Sequence, residues 1–342
     1  MRKITRRSFL TAAVACGAAT ALSACGGSSS ASSAAASSTV ASASVAAASN
    51  GEKFTVGICQ LVQHAALDAA TQGFEDALTA SFGENVTFDF QNAQGDSATC
   101  ATIANGFVSS GVALIMANAT PALQAAQAAT NTIPILGTSV TEYGVALGLD
   151  NFSGTVGGNV SGTSDLAPLD QQADMLHELF PDAKNVGILY CSAEANSSYQ
   201  SNTIQKYLKD YGYECTEYTF ADSNDIASVV NNAIATSDVL YIPTDNTAAS
   251  NTTIIQNICQ PAGIPIITGE EGICSGCGVA TLSISYYDLG YKTGEMAYEI
   301  LVNGADVSQT AVEFAPNVTK KYNVANCEAL GITVPDDYVA IE

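Results

Sequence analysis

"VALIMANATPALQAAQAATNTIPILGTS", residues 112–139, places two apolar runs, 112–118 and 133–139, on either side of an alanine-rich segment with helical spacing. Thr120 can cap that segment and Pro121 can occupy its first turn, where a missing N–H costs nothing. Two strands joined by a helix cannot form a hairpin; they lie parallel, with the helix as a right-handed crossover.

The same unit repeats outward in both directions. "KFTVGIC" (53–59) precedes an amphipathic stretch over 65–82, and "NVTFDFQ" (85–91) precedes another over 97–110. After a turn-rich passage, "NFSGTVGGNVSGTSD" (151–165), a second series runs "PLDQQADMLHELF" as helix, "NVGILYC" (185–191) as strand and "SYQSNTIQKYLKDYG" as helix. It continues with strands at 214–220, 238–244, 264–270 and 278–285, interleaved with "SNDIASVVNNAIA" and "NTTIIQNICQPAG", and a helix over 288–303. The expected fold class is therefore α/β, two doubly wound parallel-sheet lobes. The length from Lys53 onward exceeds what one core usually serves, although a single α/β barrel would also accommodate it.

The amino-terminal region has a different character. A basic stretch with Arg2, Lys3, Arg6 and Arg7 leads into an apolar run that ends at "LSACGG" (22–27). The run is short for a bilayer span and reads as an export signal over 1–24. The order Leu, Ser, Ala, Cys resembles a lipobox, which makes Cys25 the expected site of lipid attachment; Cys16 is a poorer match. "TRRSFL" also resembles the core of a twin-arginine signal. Residues 25–52 are dominated by serine and alanine and read as a tether unable to bury a core.

Removing the signal leaves seven lysines, no arginine and all 33 acids, a net charge of −26. Nucleic acid and anionic membrane surfaces are poor partners for such a body. Eight further cysteines (59, 100, 191, 215, 259, 274, 277 and 327) lie in or beside apolar segments, as small buried thiols do. Cys274 and Cys277 in "GICSGCG" have metal or redox spacing, but no second pair completes a zinc site. The expectation is free or locally paired thiols in a glycine-rich loop, with no metal and no cofactor.

In open parallel sheets a ligand lies beyond the carboxyl ends of the strands. That rule nominates His64, Thr120 and Thr141 in the first series, and Glu194, Ser197, Asp245, Asn246 and Glu271 in the second. The first face is rich in hydroxyls and amides, the second in acids. A cleft between them suits a small zwitterion: carboxylate on the hydroxyls and the start of the Pro121 helix, ammonium on the acids, with Asp245 the expected partner. Without arginine, bidentate capture of a phosphate or dicarboxylate is excluded.

Several segments, "VGICQLVQHAALDAATQGFEDAL", "GNVSGTSDLAPLDQQ", "NVGILYCSAEANSSYQ", "YIPTDNTAAS" and "SISYYDLGYKTGEMAYEIL" among them, together resemble the solute-binding lipoproteins of ABC importers, in the group associated with aromatic amino acids. The resemblance covers about Lys53 to Pro335. It implies a type I periplasmic-binding fold with a three-segment hinge, no catalysis, and an ABC permease with its ATPase as partners. It also implies a ligand contact at His64, and it splits Tyr286 and Tyr287 between core and hinge. Lobe 1 is expected over 53–165, completed by about 284–310, and lobe 2 over 166–283, completed by about 311–342. Ala65 departs from the proline often found there, and "CSGCG" replaces a cysteine-poor loop. The capture of a neutral amino acid, aromatic or branched, is the expected function; a ligand-sensing ectodomain, or an importer of a sugar or nucleoside, is the alternative. Only His64 and His177 are present, which leaves a Ser-His-acid hydrolase little to work with.

Overall fold

The computed structural model describes residues 53–315 and 317–341. The expected signal, Cys25 and the tether lie outside the described residues. The first series folds as β1 (Phe54–Gln60), α1 (Ala65–Phe82), β2 (Val86–Asn92), α2 (Ser97–Ser110), β3 (Leu114–Asn118), α3 (Thr120–Ala129), β4 (Ile135–Val140), α4 (Tyr143–Leu147) and β5 (Val160–Ser164). The second comprises α5 (Leu169–Leu179), β6 (Asn185–Cys191), α6 (Ala195–Asp210), β7 (Glu214–Phe220), α7 (Ile226–Ile234), β8 (Val239–Ile242), α8 (Asn246–Ala249), α9 (Thr252–Ala262), β9 (Ile266–Thr268), α10 (Glu271–Cys277) and β10 (Ala280–Ser283). The chain ends with α11 (Tyr286–Leu301), β11 (Glu313–Phe314), β12 (Thr319–Tyr322), α12 (Val324–Leu330) and β13 (Val339–Ala340).

These strands form two sheets, ordered β11-β5-β4-β3-β1-β2 and β13-β12-β10-β9-β8-β6-β7. Every pairing between these strands is parallel except β10 with β12. Strand order reverses at β1/β3 in the first lobe and at β6/β8 in the second, and such switch points open the crevices where ligands sit. The chain passes between the lobes three times, after β5, after β10 and after β11.

Strand alternation supplies both faces of each core. On β3, Leu114 and Met116 face the α1/α11 layer with Phe74, Leu78 and Met296, while Ile115 and Ala117 face the α2/α3 layer with Phe107 and Leu123. In the second lobe Ile188 and Tyr241 pack with Leu176 of α5, and Leu189 and Ile242 pack with Ile255 and Ile273. Helices α1 and α11 cross at backbone contact, because a Cβ on Gly290 would lie 1.8 Å from the Ala70 carbonyl oxygen.

Three sequence expectations are corrected. The turn-rich passage over 151–165 contains β5, whose "VSGTS" is built of small residues because a Cβ at Gly162 would lie 2.0 Å from the Gly137 carbonyl of neighbouring β4. "GICSGCG" lies mostly within a helix, α10, whose first N–H groups of Gly272 and Ile273 are taken by the Glu270 carboxylate. Thr120 is not the cap of α3 but its first helical residue; Ala119 caps it, at φ +92°. All eight cysteines in the described residues are free thiols, and only Cys215 is not buried.

Candidate functional site

The cleft is built from the carboxyl ends of the strands. On the first lobe these ends carry His64 after β1, Asn118 to Thr120 at β3, Ser139 to Thr141 at β4, and Asp165 after β5. Ala119 (φ +92°) and Ser139 (φ +53°) are non-glycine residues with left-handed φ, and strain of this kind concentrates at ligand sites. Ala119 brings the start of α3, with its free N–H groups, to the cleft edge. Ser139 is 6 % exposed, and its hydroxyl has no hydrogen-bond partner.

The acids of the second lobe are mostly committed to its own structure. Asp245 caps α8 through Oδ1, which accepts the Ala248 N–H at 2.8 Å, while its Oδ2 accepts the Cys191 N–H and the Ser197 hydroxyl, each at 2.7 Å. Burial pushes its carboxyl up, aided by the charge of nearby Glu194. Glu194 accepts the N–H and side chain of both Asn246 and Thr247 at 2.7–3.0 Å, and the Asn196 amide at 3.2 Å. Asp245, Glu194, Ser197 and Asn246 are thus brought together, with the oxygens of Asp245 and Glu194 turned inward. Glu271 lies apart from them: it pairs with Lys321 at 2.8 Å and accepts the Ser283 hydroxyl, lining a groove of about 770 Å³ beside the hinge.

One contact joins the two switch points directly. His64 Nε2 lies 3.2 Å from Asn246 Oδ1, so the lobes meet across the cleft. Burial holds the imidazole below its ordinary pKa, against the Asn246 hydrogen bond and the charges of Glu194 and Asp68. At the hinge end, Asp165 is 3 % exposed; its Oδ2 accepts the Tyr286 hydroxyl at 2.9 Å, and its Oδ1 has no partner. Burial pushes this carboxyl above the usual range, and the Thr141 hydroxyl approaches it without completing a hydrogen bond. Tyr287, by contrast, is 39 % exposed and bonds to Asp76 on α1.

Among the described residues, the buried side-chain atoms without a partner are His64 Nδ1, Asn118 Oδ1, Ser139 Oγ, Asp165 Oδ1, Asn196 Oδ1, Gln172 Nε2 and Thr281 Oγ1. The first four lie at the carboxyl ends of β1, β3, β4 and β5, and Asn196 in the first turn of α6. Buried polar groups are almost always paired, so these atoms, four on one sheet edge and one on the second lobe, are candidate partners for a polar ligand. Ser139 and Asn196 lie within the strand-end segments 138–141 and 192–198 that the sequence rule selects, without being singled out there, and Asp165 lies outside every selected segment. The small, polar composition of β5 mimics a turn and hides Asp165, although the strand-end rule selects it once that strand is known. No group of three metal-ligating side chains occurs among the described residues.

Two parallel-sheet lobes closing on a polar cleft, with three hinge crossings, define a type I extracytoplasmic solute-binding protein. Residues 55–341 match the family described as ABC transporter substrate binding protein, and the chain belongs to it. It is 41 % identical over 264 residues, 74 % of this chain and 76 % of the relative, to a tyrosine-binding protein of Clostridioides difficile. An L-Trp complex from Streptococcus pneumonia superposes with a TM-score of 0.79 at 32 % identity, covering 83 % of this chain and 97 % of that one. The ligand-free, open structure of a substrate-binding protein from Clostridium difficile gives 0.64 at 40 % identity, covering 84 % and 100 %. The better match to the liganded relative, despite its lower identity, agrees with the His64–Asn246 contact across the cleft. The protein is thus a substrate-binding component of an ABC transporter, acting outside the cytoplasm, and not an enzyme.

Proposed function

We propose that the chain captures a neutral, aromatic L-amino acid and presents it to an ABC permease and its ATPase. The observation that carries this reading is the row of unpartnered buried polar atoms at the strand ends. Asp165 Oδ1 is the ammonium partner, in a hinge pocket walled by Tyr286. The carboxylate rests on the start of α3 at Thr120, with the Ser139 and Thr141 hydroxyls beside it. The side chain then runs along the sheet edge toward His64. Asp245, Glu194, Ser197 and Asn246 serve by shaping the opposing wall, and Glu271 by fixing the hinge through Lys321. Relatives that bind tyrosine and L-Trp support the amino-acid class.

The finer placement follows from the amino-terminal sequence. Export under the 1–24 signal and lipid attachment at Cys25 would tether the folded lobes, with 25–52 as spacer, to the outer face of the membrane. Native mass spectrometry of the purified protein, followed by thermal-shift titration with the twenty L-amino acids, tests the ligand class. Retention of, and stabilisation by, a neutral aromatic amino acid is expected; response to sugars or nucleosides alone would overturn the reading.

A further inference from the structure

His64 carries a hydrogen-bond polarity that the rest of the network dictates. Glu194 Oε2 accepts the Asn246 backbone N–H at 3.0 Å and the Asn246 Nδ2 at 2.7 Å. A carboxylate cannot donate, so the Asn246 amide must turn its Nδ2 to Glu194 and its Oδ1 to His64. Oδ1 is an acceptor, so His64 Nε2, 3.2 Å away, must carry the proton. With burial keeping the ring neutral, Nδ1 is left as a bare acceptor lone pair. That atom is buried, has no partner, and does not cap α1, the helix it begins.

We propose that His64 Nδ1 is the specificity-determining atom of the cleft, selecting a ligand whose aromatic side chain ends in a hydrogen-bond donor: a phenol O–H or an indole N–H. This rests on the amino-acid reading above and deepens it. The ammonium is not Nδ1's partner, because Asp165 follows β5 and His64 follows β1, and β4 and β3 intervene. Three inter-strand steps separate the two ends by roughly 14 Å. A ligand held at Asp165 by its ammonium must therefore carry an elongated side chain to bring a donor to Nδ1. Serine and threonine have a donor but cannot reach. Phenylalanine reaches but brings no donor, and leaves a buried acceptor unpaired, the arrangement by which binding sites reject an analogue most strongly.

Calorimetric titration of the wild type and of His64→Leu with L-tyrosine, L-tryptophan, L-phenylalanine and O-methyl-L-tyrosine tests the assignment. The wild type should bind tyrosine or tryptophan at least tenfold more tightly than phenylalanine and the methyl ether. In His64→Leu the ratio of tyrosine to phenylalanine affinity should fall to about one, whatever the absolute affinities. Equal wild-type affinity for tyrosine and phenylalanine overturns the proposal without any variant and leaves the amino-acid reading intact. An unchanged ratio in His64→Leu overturns it too. Binding of none of the four overturns the amino-acid reading, and this inference with it.

Discussion

Tyr286 and Asp165 tie together two of the three hinge crossings: the Tyr286 hydroxyl, just after β10, donates at 2.9 Å to Asp165, just after β5. One carboxylate oxygen is thereby spent on the hinge while the other has no partner, so under the proposed reading ligand capture and hinge geometry meet in one side chain. Asp165→Asn keeps size but removes the charge, and should weaken amino-acid binding by roughly 2 kcal/mol, about thirtyfold. Folding should survive, and calorimetry with circular dichroism separates the two effects. Wild-type affinity in the variant would remove Asp165 from the ammonium site.

Asp245 should behave oppositely. Its carboxylate caps α8 and satisfies the buried Cys191 N–H and Ser197 hydroxyl. Asp245→Ala strands these donors, and should cost about 2 kcal/mol or more in chemical denaturation. An unchanged denaturation midpoint would show that the internal network contributes nothing.

The buried acids also set a pH trend. Burial holds Glu270 up to about 7 and raises Asp245 as well. A folded-state pKa above the unfolded value means the native protein binds more protons, so stability is greatest in acid and is lost as pH rises through the folded pKa. Melting temperature should therefore increase on going from about pH 8 to about pH 5. Below the ordinary aspartate value of 3.8 the trend should reverse as Asp238, held down by the Asn185 and Lys184 N–H groups, takes up a proton. A melting temperature that instead climbs steadily with pH would contradict the placement of these carboxylates.

Lipid attachment has a direct readout. Cys25→Ser should move the protein from the membrane fraction to the soluble fraction of expressing cells, with ligand affinity unchanged. A constant membrane pool would exclude Cys25 as the anchor.

The sheets were legible in the sequence because most of their strands are apolar runs bounded by helical periodicity, as β6 (Asn185–Cys191) and β8 (Val239–Ile242) illustrate. β5 was not, since a strand pressed against Gly137 must be small and polar, and such composition mimics a turn. The cleft's location followed from topology alone. What spacing could not reveal was the direction of each carboxylate. Asp245 and Asp165 both end a strand, and only three-dimensional packing shows that one is saturated by N–H and O–H donors while the other keeps an open oxygen. The helix in "GICSGCG" was equally hidden, because its glycines and cysteines carry weak propensity and its start depends on the Glu270 carboxylate.

The crossing of α1 and α11 governs the order in which the protein can be made. The apolar side of α1, with Phe74 and Leu78, is closed by Met296 and Ala297 of a helix that emerges late in synthesis, after the whole second sheet except its β12 and β13 edge. A nascent chain arrested before Tyr286 would carry an amino-terminal lobe with one face uncovered. Sequence order and folding order therefore run out of step: the lobe begun first is sealed only when nearly all of the polypeptide is available.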